Sequence, residues 1–103
     1  MANAAIFLID GFEETEALTT VDILRRGGVE VTTVSLTGRG DAVSSRKVSV
    51  RADAIFDDAK DKDFDMLVIP GGTVEYTRHK SLRTLVQKYD GREIGRASCR
   101  ERV

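Results

Sequence analysis

Four features of this sequence could do chemistry. They are the run of acids in Gly11-Phe12-Glu13-Glu14-Thr15-Glu16-Ala17, the glycine pair Gly71-Gly72, the single histidine His79 and the single cysteine Cys99. Two adjacent glycines after a buried strand let bare backbone N–H groups approach whatever lies above the strand's end, the arrangement that can hold a developing oxyanion. A glutamate facing such a turn could move protons. Taken alone, though, Glu16 sits in the first turn of a helix, where any acid is favoured by the helix dipole. A lone cysteine suggests a nucleophile, and Arg96, Arg100 and Arg102 would favour its thiolate. It has no apolar strand before it and no elbow to sit on. His79 lies between Arg78 and Lys80 just before an amphipathic stretch and reads as a solvated helix-start residue. One histidine and one cysteine cannot make a metal ligand set.

The elements that must position these residues follow from the apolar pattern. Ala4-Ala5-Ile6-Phe7-Leu8-Ile9 and Met66-Leu67-Val68-Ile69 are apolar without alternation, as strands buried on both faces of a parallel sheet are. Asp10-Gly11 ends the first and Pro70-Gly71-Gly72 the second. From Glu13 or Glu14 a helix follows, with Ala17, Leu18, Val21 and Leu24 on one face, Arg25-Arg26 in its last turn and Gly27-Gly28 as its stop. Val29 to Leu36 is rich in β-branched residues and reads as the next strand, completing a right-handed βαβ unit. Thr37 to Asp41 is a loop whose Arg39-Gly40-Asp41 reads as a plain turn rather than an adhesion motif. Val43 to Ala52 alternates and predicts a half-exposed strand or a hairpin turning near Ser45-Arg46. Ile55 to Ala59 suggests a helical turn, and Lys60-Asp61-Lys62-Asp63 a solvated loop. Leu82, Leu85, Val86 and Tyr89 mark a second amphipathic helix, with Ser81 as its cap and Gly91 as its stop. The three strands near 4–9, 29–35 and 65–69 should lie parallel with the first in the middle. Glu16 should then approach Gly71 and Gly72.

Composition narrows the function classes. The chain has 103 residues, 16 basic and 17 acidic, for a formal net charge of −1. That balance gives no electrostatic case for nucleic acid. The longest apolar run is too short to span a membrane, and no secretory signal is visible. One cysteine excludes an internal disulfide and fits a reducing, cytoplasmic compartment. No G-x-G-x-x-G follows the first strand, so a dinucleotide fold is not indicated. A phosphoacceptor receiver domain would use Asp10, but it needs another aspartate where Pro70-Gly71-Gly72 stands.

Three stretches, IFLIDGFEETEALTTVDILRRGGVEVTTVS, SSRKVSVRAD and DMLVIPGG, resemble the ThiJ/PfpI (DJ-one-like) family over roughly residues 4–92. The resemblance implies an α/β, flavodoxin-like, doubly wound parallel sheet, a homodimer and no cofactor. It implies that Glu16 is the family's glutamate, placed beneath a reactive cysteine, and that Gly71 and Gly72 are the oxyanion-type glycines. In such a complete domain, burial beside an anionic sulfur would keep the glutamate protonated and hydrogen-bonded to it. Arg25, Arg26 and Arg46 match basic positions near the pocket and dimer contact in the family, although pairing with the helix dipole accounts for Arg25 and Arg26 at least as well. The family's AAICA-like cysteine strand, expected after Tyr89, has no counterpart. The last eleven residues, 93–103, can instead be written in codons that resemble the start of a sequencing adapter. The expectation is an N-terminal half-domain over 1–92 followed by a non-native tail without strand register. By resemblance the parent acts on small reactive carbonyls or glycated substrates, as a glyoxalase III or deglycase does. The alternative is an oxidative-stress sensor or holdase.

Overall fold

The computed structural model describes residues 2–89 and the strand backbone of 93–97. The strand β1 (Asn3–Leu8) runs through the middle of a five-stranded sheet, because Ala4, Ala5, Ile6, Phe7 and Leu8 are apolar on both sides and all are buried at 1% exposure or less. Each large side chain so enclosed contributes about 1.5–3 kcal/mol relative to exposure. The helix α1 (Glu14–Arg26) carries the chain back to β2 (Glu30–Ser35), which pairs parallel with β1 from Asn3↔Glu30 to Leu8↔Ser35. A short hairpin of β3 (Asp41–Val43) and β4 (Ser49–Arg51) follows, then β5 (Ala54–Ile55) beside β2 and the turn of α2 (Phe56–Ala59). The strand β6 (Met66–Pro70) lies against the other edge of β1 and leads through α3 (Glu75–Arg78) to α4 (Lys80–Lys88).

The sheet order is β5-β2-β1-β6-β7, with every pair parallel. Crossovers leave β1 and β6 in opposite directions, so right-handed connections place α1 on one face and α2 and α4 on the other. The anticipated three parallel strands with the first central are therefore present, in a doubly wound sheet. The predicted hairpin and the helical turn after Ile55 are present too. Gly27 caps the end of α1 as expected, its N–H directed to the Ile23, Leu24 and Arg25 carbonyls.

Four features depart from the sequence reading. Residues 93–97 form β7 (Glu93–Ala97), paired parallel with β6 from Met66↔Glu93 to Pro70↔Ala97. The expectation that this segment lacks strand register is overturned. It rested on side-chain alternation, whereas β6's outer edge presents backbone N–H and C=O groups that a neighbour of almost any composition can pair. The second departure is the cap of α4, which is His79 and not Ser81. The third is Leu18, placed on α1's apolar face, which stays 40% exposed while Ala17 and Val21 are buried. The fourth is β5 and α3, of two and four residues, which no periodicity announced. Gly91 lies outside the described residues. Among those described, no helix is long and apolar enough to cross a membrane.

Candidate functional site

The carboxyl ends of β1 and β6 lie side by side, and the turns that leave them interlock. After β1 the chain turns through Gly11, at φ +95°, with Phe12 N–H donating to Ile9 O at 3.0 Å. After β6 it turns through Gly72, at φ +112°, a conformation that favours glycine. A Cβ on Gly72 would also stand 2.5 Å from Glu13 N and 2.9 Å from Gly11 O. Only hydrogen fits between the two turns. Glu13 N–H donates to Gly71 O at 3.1 Å, and Gly71 N–H donates to Glu16 Oε1 at 3.3 Å. The Gly71 residue is thus held at both of its backbone polar groups by the start of α1.

Glu13 makes that start rigid. Its Oε1 accepts from Thr15 N–H and, at 3.2 Å, from Glu16 N–H, so it caps the helix that carries Glu16. Glu16 itself is half-buried, and among the described residues its Oε2 has no hydrogen-bond partner. Gly72 N–H likewise donates to no described group. Among the described residues, a carboxyl oxygen of half-buried Glu16 and the Gly72 N–H are thus without partners at the same end of the sheet. That is the crevice where open α/β folds bind ligands.

The hairpin covers the first turn from the side. Gly11 N–H donates to Val43 O at 2.8 Å, and Ser45 N–H donates to Phe12 O at 2.8 Å. Asp10 accepts from Val43 N–H at 3.0 Å and pairs with Arg39 at 2.9 Å. The Val43 N–H, the largest influence, holds the Asp10 carboxyl below its usual range against the upward pull of desolvation, with Arg39 adding to the lowering. Arg39 also pairs with Asp41 at 3.1 Å, so Arg39-Gly40-Asp41 is tied to its own loop, in keeping with a plain turn. Ser45 Oγ donates to Glu14 at 3.2 Å, and Glu14 is lowered chiefly by its own backbone N–H, then by the Ser45 and Ser44 hydroxyls.

The remaining candidates are dispersed. Arg25 binds Val31 O and Asp53, each at 2.9 Å, at the far end of α1. Burial draws Asp53 upward, but hydrogen bonds with Thr33 and the Arg25 charge leave its carboxyl lowered. Arg26 pairs with Asp22 one turn back, and Arg46 is exposed at the hairpin tip. His79 is half-buried rather than solvated. Cys99 lies outside the described residues. Sequence reasoning missed Glu13 as the cap and Asp10 as the hairpin's anchor. Glutamate is a poor cap by preference, and nothing in the pattern shows a loop thirty residues on folding back to Asp10.

Comparison with known proteins settles the lineage. The DJ-1/PfpI family matches residues 2–94. The chain belongs to that family. Among relatives, the Parkinson disease protein 7 homolog of Danio rerio is 30% identical over 95 residues, covering 88% of this chain and 50% of that protein. Protein dj-1beta of Drosophila melanogaster is 39% identical over 71 residues, covering 68% of this chain and 37% of that one. Among solved structures, a DJ-1 superfamily protein from Salmonella typhimurium, determined as a cysteine-to-alanine mutant, superposes with a TM-score of 0.89 at 31% identity. It covers 93% of this chain and 55% of that one. Oxidized DJ-1 of Toxoplasma gondii gives 0.88 at 26% identity, with the same coverage. This DJ-1/PfpI chain thus spans about half the length of the structures it matches.

Proposed function

We propose that this chain supplies the glutamate and glycine-turn half of a cysteine-dependent protein acting on small reactive carbonyls or their glycated adducts. The contact between Glu16 Oε1 and Gly71 N–H supports this reading, because it fixes a carboxyl group beside a glycine turn whose Gly72 N–H has no partner among the described residues. In the reaction, a thiolate adds to the carbonyl carbon of a 2-oxoaldehyde and the oxygen takes up the electron pair. Gly72 N–H, with Gly71 holding Glu16 in place, receives that oxyanion, and Glu16 delivers or removes the proton. The residues beyond 92 are, on this proposal, not native to the domain, and the nucleophile belongs to the longer protein, a cytoplasmic homodimer.

Methylglyoxal consumption by the longer protein, set beside its Glu16→Ala variant, is the test. Turnover should fall by about 10²-fold or more without the carboxylate. Undiminished turnover would overturn the assignment of Glu16. The 103-residue chain and its Cys99→Ala variant should both stay at background.

The oxidized state named for the Toxoplasma relative favours a second reading, an oxidative-stress sensor or holdase whose oxidised cysteine is held by Glu16. Retained peroxide protection in a longer protein that consumes no methylglyoxal would decide for it.

A further inference from the structure

The start of α4 is held by a group whose hydrogen-bonding character depends on protons. His79 Nδ1 accepts the Leu82 N–H at 3.1 Å, occupying the position where serine, threonine, aspartate or asparagine is usual. The bond requires Nδ1 to carry a lone pair, so the imidazole is neutral with its hydrogen on Nε2. Its ring lies 5.8 Å from that of Phe56, which in turn lies 6.4 Å from Phe7 on β1. His79 N–H donates to Tyr76 O at 3.4 Å, and His79 O accepts from Arg83 N–H at 3.1 Å. The side chain is therefore packed at the junction of α2, α3 and α4.

Protonation reverses the cap. An imidazolium has donors at both nitrogens, so Nδ1–H would face Leu82 N–H. Its positive charge would also sit at the positive end of the helix dipole. The charged groups on the surrounding elements do not compensate. On α3 Glu75 is paired with Arg78 at 3.2 Å, and on α2 Asp57 is paired with Lys60 at 3.8 Å. On α4 itself, Lys80 and Arg83 add two further cations. Among the described residues no carboxylate pairs with His79.

We propose that His79 makes the α3–α4 junction a proton-sensitive joint: the neutral ring fastens the first turn of α4, and the protonated ring releases it. The change stays local. Tyr76, one turn earlier, is buried, and its hydroxyl donates to Phe7 O at 2.7 Å, which pins α3 to β1 whatever the state of His79.

The test is amide hydrogen exchange in the 103-residue chain, corrected for intrinsic rates, at about pH 8 and about pH 5. Protection of Leu82 N–H should fall about fivefold on acidification, the worth of one cap. In His79→Asn, whose amide oxygen accepts at either pH, protection should not change. In His79→Ala it should be low at both. Unchanged protection in the parent chain, or an equal fall in His79→Asn, would overturn the proposal. The imidazole nitrogen resonances provide a second measurement that needs no variant, since the chain has one histidine. An Nε2–H tautomer at high pH is expected, and an Nδ1–H tautomer would refute the cap.

Discussion

The helices α1 and α4 begin in equivalent places, each following a buried parallel strand at the carboxyl end of the sheet, yet they are held in different ways. The start of α1 has the Glu13 side chain as its cap, but the turn before it is fixed by backbone. Gly71 O, Val43 O and Ser45 N–H all bind the turn before it, and Gly72 packs onto that turn with no room for a side chain. The start of α4 is fixed by side chains, with His79 as its cap and Tyr76 as its anchor. Backbone contacts demand one geometry and tolerate few residue types. Side-chain contacts can be exchanged, or titrated. The proposed chemistry uses the first kind of junction, where a displacement of an ångström matters.

The sharpest way to break the contrast is Gly72→Ala. A methyl group there meets Glu13 N and Gly11 O at a φ few other residues adopt, and the cost should be about 3 kcal/mol. Urea unfolding measures it, and a loss below about 1 kcal/mol would mean the two turns are not locked. On the other side, Tyr76→Phe removes the donor to Phe7 O while keeping the packing. A loss of about 1 kcal/mol is expected, and none at all would show that the ring alone anchors α3. Burial already pushes the Tyr76 phenol up, so it stays a donor across the physiological range.

Acid should discriminate further. Asp10, which anchors the hairpin from the end of β1, and Asp53, beside β2, have carboxyls lowered in the folded chain. Such a group binds its proton more readily when unfolded, so its contribution is complete above about pH 4 and is lost as pH falls through the folded value. The unfolding midpoint should therefore drop on acidification, and Asp10→Asn should lose less than the parent chain between about pH 4 and pH 2. Parallel curves would show that the Asp10 anchor adds nothing. The smallest effect belongs to Arg78→Ala. Its pair with Glu75 is largely exposed, so stability should change by less than about 0.5 kcal/mol. A larger loss would mean that the α4 side depends on charge as well as on His79 and Tyr76.

The same contrast explains what could be read from the residues. Ala4–Leu8 and Met66–Ile69 show their burial openly, because a strand covered on both faces must be apolar at every position, and their parallel pairing follows. The approach of Glu16 to Gly71 was also legible, since both leave neighbouring strand ends. The His79 cap was not, because Ser81 has the better capping chemistry and only the fold of α3 brings the imidazole round to Leu82. Neither were β5 and α3, too short to show a period. Residues 93–97 misled in another way. Their side chains say little about a strand, while the edge of β6 that receives them is invisible in their own sequence.

The central place of β1 has a consequence for synthesis. Its partner β2 follows directly through α1, but its other partner, β6, begins only at Met66. At about 5–20 residues per second, a ribosome leaves that second edge of β1 open for several seconds after the first is paired. During that interval Ala4 to Leu8, the most completely enclosed segment among the described residues, is an apolar strand with free hydrogen-bonding groups along its second edge. The nascent chain therefore depends most on shielding between the emergence of β2 and the emergence of β6, and a stall in translation there would leave an intermediate suited to pairing with another copy of itself.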